Sequence, residues 1–328
     1  MVDVRDVLAR PVVLAPMGGG PSTPELVAAG AAAGALGFLA GAYKTAPELR
    51  DEIQKTRALT SAPFGVNVFV PGRPTTAAVE LSAYLAQLRS EGHELAEPAW
   101  NDDHWDAKVD VLLETAPAVV SFAFGSPPRS LIEALEGAGI AVGVTVTSMD
   151  EAAAAADEGA GFLCVQGHEA GAHRGTFDNP GLPDDRPLLA LVHDVVKSVA
   201  IPVLAAGGIA TRDEVEAVMA VGAAGVQCGT VFLRCPESGA KPIYKDALAD
   251  PRYTETVVTR AFSGRAARGL RNPFISAHPN APAAYPEINN ATRPLRAAGD
   301  PDAMSLWAGT GWRHATTDPV AEVLDRLD

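Results

Sequence analysis

Apolar runs of strand length alternate along the chain with Ala-rich stretches whose apolar positions recur at helical spacing. Eight runs have strand length: 12–16, 36–40, 64–70, 118–124, 141–147, 161–165, 202–206 and 225–232. Helical patterns fall between them at 23–33, 46–59, a longer region after Thr75, 130–137, 148–158, 187–199 and 211–221. Ser148 with Glu151, and Thr211 with Glu214, place a hydroxyl and a carboxylate three residues apart, the spacing of a capping box, and so mark two helix starts. Strands alternating with helices in this way predict parallel βα units, and eight of them predict an α/β chain closed into a (β/α)8 TIM barrel.

The rhythm breaks twice. Residues 71–110 hold Tyr84, Trp100 and Trp105 and are too many for a simple βα connection. Residues 234–310 show helix-like pieces at 244–248 and 253–261 and a Pro/Asn-rich run at 272–294. The barrel is therefore expected to comprise 1–70 and 111–233, with 311–328 as its closing helix. The two interruptions are expected to form a helical and irregular substrate-binding region, a lid, over the C-terminal face, where barrels carry their sites.

Composition narrows the partners. The 328 residues are 47% apolar, enough for a large core, and 26 basic against 40 acidic residues leave a net charge of −14. No run of Lys or Arg offers a footprint for nucleic acid or an anionic membrane. The N-terminus carries Asp3 and Asp6 where a signal peptide needs positive charge, and its apolar run is too short to span a bilayer, so a soluble cytoplasmic protein is expected. Cys164, Cys228 and Cys235 lie in or beside apolar runs without CxxC spacing, as reduced structural thiols do.

Candidate chemistry gathers at the strand ends. The stretch 165–175 follows an apolar run with His168, Glu169, His173, Arg174 and three glycines, side chains suited to proton transfer and anion contact on a tightly turning backbone. Gly207-Gly208 and Gly229-Thr230 end the seventh and eighth predicted strands, where barrels build phosphate sites from backbone amides. The glycine triplet after Met17 ends the first strand, and Asn67 and Gln166 are polar residues on or beside strands, placed to bond a cofactor ring. His168 and His173 lack further ligands at usable spacing, so no metal is expected.

APMGGG at 15–20, QGHEAGAHRG at 166–175, AAGGI at 205–209, VQCGT at 226–230, SGRAARGL at 263–270 and YPEINNATRPLR at 285–296 together resemble the nitronate monooxygenases, formerly 2-nitropropane dioxygenases. The resemblance implies a TIM barrel holding FMN and no metal, and oxidation of alkyl nitronates with O2 to a carbonyl compound and nitrite. It implies flavin contacts from Met17, Asn67, Gln166, Gly171, Gly207, Gly208, Gln227, Cys228, Gly229 and Thr230, and makes His173 the catalytic residue. FMN rather than FAD or NAD also fits a single phosphate site and the lack of GxGxxG after the first strand. His173, with Tyr285 and Trp307 from the lid, is the expected substrate contact. Near the ordinary imidazole pKa of about 6.5, His173 can remove the carbon-bound proton of a neutral nitroalkane at neutral pH. The resemblance extends to a flavin-dependent enoyl-acyl-carrier-protein reductase that takes electrons from NADPH, the alternative enzyme; a non-catalytic flavin- or phosphate-binding protein is the alternative outside enzymes. The expected partners are a small nitronate and O2, with monomer and homodimer both open. One departure stands out: Ala172 occupies a place where the family usually has Gly, so a positive φ there would cost about 1 kcal/mol or more.

Overall fold

The computed structural model describes residues 3–181 and 183–328. Eleven strands, β1 (Val12–Leu14), β2 (Phe38–Ala40), β3 (Gly65–Phe69), β4 (Val119–Ala123), β5 (Ala141–Val146), β6 (Phe162–Gln166), β7 (Ala172–His173), β8 (Val203–Ala206), β9 (Gly225–Cys228), β10 (Thr256–Thr259) and β11 (Ala267–Leu270), divide between two sheets. Eight run parallel in the order β1-β9-β8-β6-β5-β4-β3-β2, and a bridge between Leu14 and Gly37 closes the ring. This is the expected (β/α)8 barrel, with each barrel strand inside one of the predicted runs or within a residue of it.

Burial explains why the strands read as continuous apolar runs. Val12, Val66, Val120, Val144, Leu163 and Leu204 are sealed between the barrel interior and the helical ring. Helices start where the sequence supplies caps. Thr211 forms a complete capping box with Glu214, as does Thr45 with Glu48. Ser148 accepts the Glu151 N–H at 3.2 Å, but the Glu151 carboxylate is diverted from its expected place to the Thr147 N–H at 2.6 Å and the Phe177 N–H at 2.7 Å. That capping box is half a box, and its missing half ties down the loop after β7.

Three expectations need correction. The run at 225–232 stops being strand at Cys228, because Gly229 turns the chain into a 3-10 helix at Thr230–Phe232. Residues 253–261 contain no helix; β-branched Thr256, Val257, Val258 and Thr259 form β10 instead. The boundary at 110 falls inside the helix Trp105–Thr115, whose Val111 and Leu112 pack in the barrel's own core, so the barrel resumes near 105.

Residues 234–310 do lie beyond the barrel rhythm. Their hairpin β10–β11 extends to β7 in a three-stranded antiparallel sheet, with Ala267 opposite His173 and Arg268 opposite Ala172. Phe262, Phe274 and Ile288 join Leu81, Tyr84 and Leu88 of the helix Ala78–Ser90 in a separate apolar cluster, so the two interruptions share a core. The helix Val320–Leu327 closes the chain by burying Val320, Val323, Leu324 and Leu327 against the barrel. No helix among the described residues is long and apolar enough to cross a membrane.

Candidate active site

A cavity of ≈ 450 Å³ opens at the C-terminal ends of the barrel strands, and all eight contribute to it, from Met17 beyond β1 to Gly229 beyond β9. Its volume suits a small-molecule ligand. A second chamber of ≈ 1210 Å³ lies outside it, and Tyr43, Phe69, Phe124 and Arg296 border both.

One end of the inner cavity is built from backbone. The N–H groups of Gly207, Gly208, Gly229 and Thr230 make no hydrogen bond among the described residues. Gly207 and Gly208 take φ values of 126° and 72°, which a side chain would resist. A Cβ on Gly208 would also stand 2.7 Å from Thr310 Oγ1 and 2.8 Å from Glu169 Cβ. Unpaired amides next to the start of a 3-10 helix form a seat for a phosphate oxygen. Asn67 is buried on β3 and donates to Ser121 O at 3.1 Å and Ser121 Oγ at 2.9 Å, which leaves Oδ1 as an acceptor with no protein partner. Met17, Gly171, Gln227 and Cys228 line the same space. These features fit a flavin nucleotide: an anion seat, an acceptor for a ring N–H, and a largely apolar lining.

Two of the expected flavin contacts, Gln166 and Thr230, have their side chains already engaged. Gln166 donates to His173 O at 3.1 Å and accepts from Gly175 N–H at 2.8 Å, so its amide staples the β7 loop while its flank lines the cavity. Thr230 Oγ1 accepts the Gly309 N–H at 3.0 Å. Burial pushes the Cys228 thiol up to about 12, as expected for an inert structural cysteine.

The opposite wall is built from side chains. His173 sits on β7, held by pairing with Ala267. Its ring lies 5.6 Å from Trp307, 5.6 Å from Tyr285 and 6.0 Å from Phe124, measured between centroids. Both lid aromatics expected at the substrate therefore meet the histidine. Nε2 is 2.8 Å from Ser263 Oγ, whose hydroxyl donates in turn to Arg265 O at 3.2 Å. That network is satisfied when Nε2 carries the hydrogen, and Nδ1 is left as a bare acceptor without a partner among the described residues. Burial, reinforced by Arg265 and Arg296, pushes the imidazole down to about 3 rather than leaving it near 6.5, so the ring is neutral throughout the working pH range.

The neighbours of His173 are structural. Arg174 is fully buried, with its guanidinium on the carbonyl oxygens of Gly167, Gln166 and Asp184. Glu169 accepts the Leu188 N–H at 3.0 Å and so caps the helix Leu188–Ser198, rather than pairing with Arg174. His168 Nδ1 bonds Arg186 O at 3.0 Å. Tyr244 directs its hydroxyl to Trp307 O, and Lys245 Nζ donates to Cys235 O at 2.7 Å.

Several residues of this wall carried no assignment in the sequence: Tyr43, Phe69, Phe124, Ser263, Arg265 and Arg296. Tyr43, Phe69 and Phe124 stand at or just past the ends of β2, β3 and β4, a position that by itself signals a barrel site. Ser263, Arg265 and Arg296 belong to the SGRAARGL and YPEINNATRPLR segments. Backbone strain marks the same region. Of the six non-glycine residues with positive φ among those described, Tyr43, Asp103, His104, Phe124 and Ala172 line one chamber or the other.

Comparison with known proteins agrees with this geometry. Residues 4–328 match the family model described as nitronate monooxygenase. A probable nitronate monooxygenase of Staphylococcus aureus (strain JH9) is 38% identical over 333 residues, spanning 97% of this chain and 93% of the relative. The solved nitroalkane oxidase from Streptomyces ansochromogenes superposes with a TM-score of 0.93 at 44% identity, over 99% of this chain and 96% of that one. FabK from Thermotoga maritima superposes with a TM-score of 0.75 at 28% identity, over 99% and 94%. The match over nearly the whole chain brings a barrel of this kind under one heading, and the chain belongs to the nitronate monooxygenase family of flavin-dependent oxidoreductases.

Proposed function

We propose that the protein uses FMN and O2 to oxidise alkyl nitronates, and nitroalkanes after removal of their carbon-bound proton, to a carbonyl compound and nitrite. One observation carries this reading: a neutral imidazole with a bare Nδ1, set in an aromatic box beside a cavity whose far end offers four unpaired amides. The amides of Gly207, Gly208, Gly229 and Thr230 would hold the FMN phosphate, and Met17, Asn67, Gln166, Gly171, Gln227 and Cys228 would border its ring. When bound, FMN supplies the electron acceptor that no side chain provides.

The chain's own part is position and proton handling. Trp307, Tyr285 and Phe124 wall off water around His173 and confine a small substrate against it. Nδ1 accepts the proton from the α-carbon of a nitroalkane, and Ser263 fixes the ring and its tautomer through Nε2. A nitronate has already lost that proton and asks only to be held. The regions 71–110 and 234–310, which share a core over the barrel mouth, act as the substrate-binding lid.

The test is oxygen uptake and nitrite release with a panel of nitronates, together with chromatography of the heat-released cofactor. Nitronate-dependent uptake and co-elution with FMN are expected. The sequence's resemblance to a flavin-dependent enoyl-acyl-carrier-protein reductase gives a second reading, reduction of an enoyl thioester by NADPH. Rapid anaerobic bleaching by NADPH, with enoyl-thioester turnover and no nitronate activity, would establish that reading instead. A protein that binds flavin and turns over neither substrate would be a binding protein.

A further inference from the structure

Two guanidinium groups that border the outer chamber have no counter-ion among the described residues. Arg265 is 3% exposed and lies 3.8 Å over the Phe124 ring, with Nη2 donating to Thr176 O at 2.6 Å and Nε buried without a partner. Arg296, half-buried on the helix Arg293–Ala297, donates from Nε to Thr292 Oγ1 at 3.1 Å and from Nη2 to Asn289 O at 2.6 Å, which leaves Nη1 free among the described residues. Neither pairs with a carboxylate among the described residues. Glu151 and Asp178 act on Arg265 only at longer range, and Asp103, which lines the same chamber, is committed to Lys108 at 2.7 Å and to the Tyr43 N–H at 3.0 Å. A chain with a net charge of −14 has carboxylates to spare, yet none neutralises these two cations. A buried charge left unpaired is costly in the free protein and becomes favourable when a ligand brings the opposite charge.

We propose that Arg265 and Arg296 form the seat for the two oxygens of the substrate's nitro group. The proposal rests on the reading of function above only for the identity of the anion. A guanidinium presents its N–H donors in a plane, which matches the planar O–N–O of a nitronate. Both guanidiniums border the outer chamber, Arg296 also lines the inner cavity with His173, and the Phe124 ring lies 3.8 Å from the Arg265 guanidinium and 6.0 Å from the imidazole. When Nδ1 takes the proton from a nitroalkane, the C–H bond breaks, its electron pair forms the C=N bond, and negative charge moves onto the nitro oxygens. Donors already fixed where that charge develops favour the step. His173 cannot serve as the cation itself, because it is neutral before the transfer.

Nitrate, which has the same planar O–N–O unit, is the probe, titrated calorimetrically into the purified flavin-containing protein. Native protein is expected to bind it, and Arg296→Gln to weaken binding by about 10- to 100-fold, the range for a hydrogen bond to a charged group. Arg265→Gln should weaken it at least as much. Arg129→Gln, exposed on the helix Arg129–Gly137 and away from both chambers, should leave it unchanged. Flavin content and unfolding midpoint establish that each variant is folded; if Arg265→Gln is not, Arg265→Lys and Arg296→Gln decide the matter. No nitrate binding to native protein, or affinities within twofold of native in both deciding variants, would overturn the seat. Nitrate binding lost in the variants, with no nitronate turnover by native protein, would keep the seat and reject the reading of function. Turnover by native protein with nitrate affinity unmoved would do the reverse.

Discussion

The two ends of the inner cavity are made in different ways. The glycine end uses backbone amides from two adjacent turns, after β8 and β9, and its shape follows from the barrel and from φ values that glycine tolerates. The histidine end uses side chains from the turns after β2 and β4, from β7, and from three lid segments, with the hairpin β10–β11 docked on β7. Backbone can hold a group common to many ligands, such as a phosphate. Side chains must discriminate, and they do so with aromatic surface and unpaired charge. Damage at the glycine end should therefore cost cofactor, and damage at the histidine end should cost turnover.

The sharpest test of this division is His173→Asn. Asn keeps hydrogen bonding but cannot serve as the base, and general-base catalysis contributes about 10²–10⁴-fold, so nitroalkane kcat/KM should fall by that order. Nitronate turnover should fall far less and flavin content should hold. An equal loss on both substrates with flavin retained would remove the base role and leave His173 as an anchor for the bound anion. The mirror experiment is Gly208→Val. With φ at 72° and Thr310 and Glu169 within 2.8 Å of any Cβ, strain of about 1–3 kcal/mol is expected, equivalent to FMN binding weaker by roughly 10- to 100-fold. Fluorescence titration of apoprotein with FMN measures it. Turnover at saturating FMN should stay close to native, and a collapse there would merge the two ends into one unit.

How legible each end was in the sequence follows from the same difference. Gly207, Gly208, Gly229 and Thr230 could be placed from order alone, since the seventh and eighth strands of a barrel adjoin and each motif is contiguous. His173 follows from motif resemblance and Tyr285 and Trp307 from their place in the lid region, and the structure brings the three together. Arg265 and Arg296 stayed hidden, though both lie in segments that carried the resemblance. A lone arginine is usually a surface residue, and nothing in its neighbours discloses that it will be buried over Phe124 without a carboxylate. Gln166 shows a related limit: only the structure shows its amide occupied by His173 O and Gly175 N–H while its flank lines the cavity.

Proton linkage offers a smaller, graded test of the histidine end. An exposed His protonates near pH 6.5, whereas burial and the two arginines push His173 down to about 3. Between those values the unfolded chain binds a proton that the folded protein does not, so this group makes stability fall as pH drops from about 6.5 towards 3, by at most about 1.4 kcal/mol per pH unit. Above pH 6.5 it contributes no slope. Urea denaturation at pH 7.5 and pH 5 should show His173→Asn losing less stability than native protein over that interval. Nitroalkane turnover by native protein should also show no inflection from His173 near pH 6.5. Parallel stability losses in the two proteins would mean that the ring is more solvated than its surroundings imply.

The smallest expected effect concerns Ala172, which joins Gly171, packed against Gly309, to His173. Its φ of 63° places a Cβ in the left-handed region, at a cost of about 1–2 kcal/mol for an L-residue. Glycine would relieve that strain, while its greater freedom in the unfolded chain would return about 0.4–1 kcal/mol of the gain. Ala172→Gly should therefore stabilise the fold by about 0.5–1 kcal/mol, read as a higher urea midpoint with unchanged slope. If the strained alanine holds the imidazole in register with the nitro group, nitroalkane kcat/KM should fall severalfold in the more stable variant while FMN affinity stays put. If turnover holds or rises, the pairing of β7 with β11 and the Ser263 contact suffice to orient the ring, and Ala172 is a strained position without a part in positioning it. A lower midpoint would show instead that the methyl's own packing outweighs the backbone strain, and the difference between the two ends would then rest on side chains down to the smallest one.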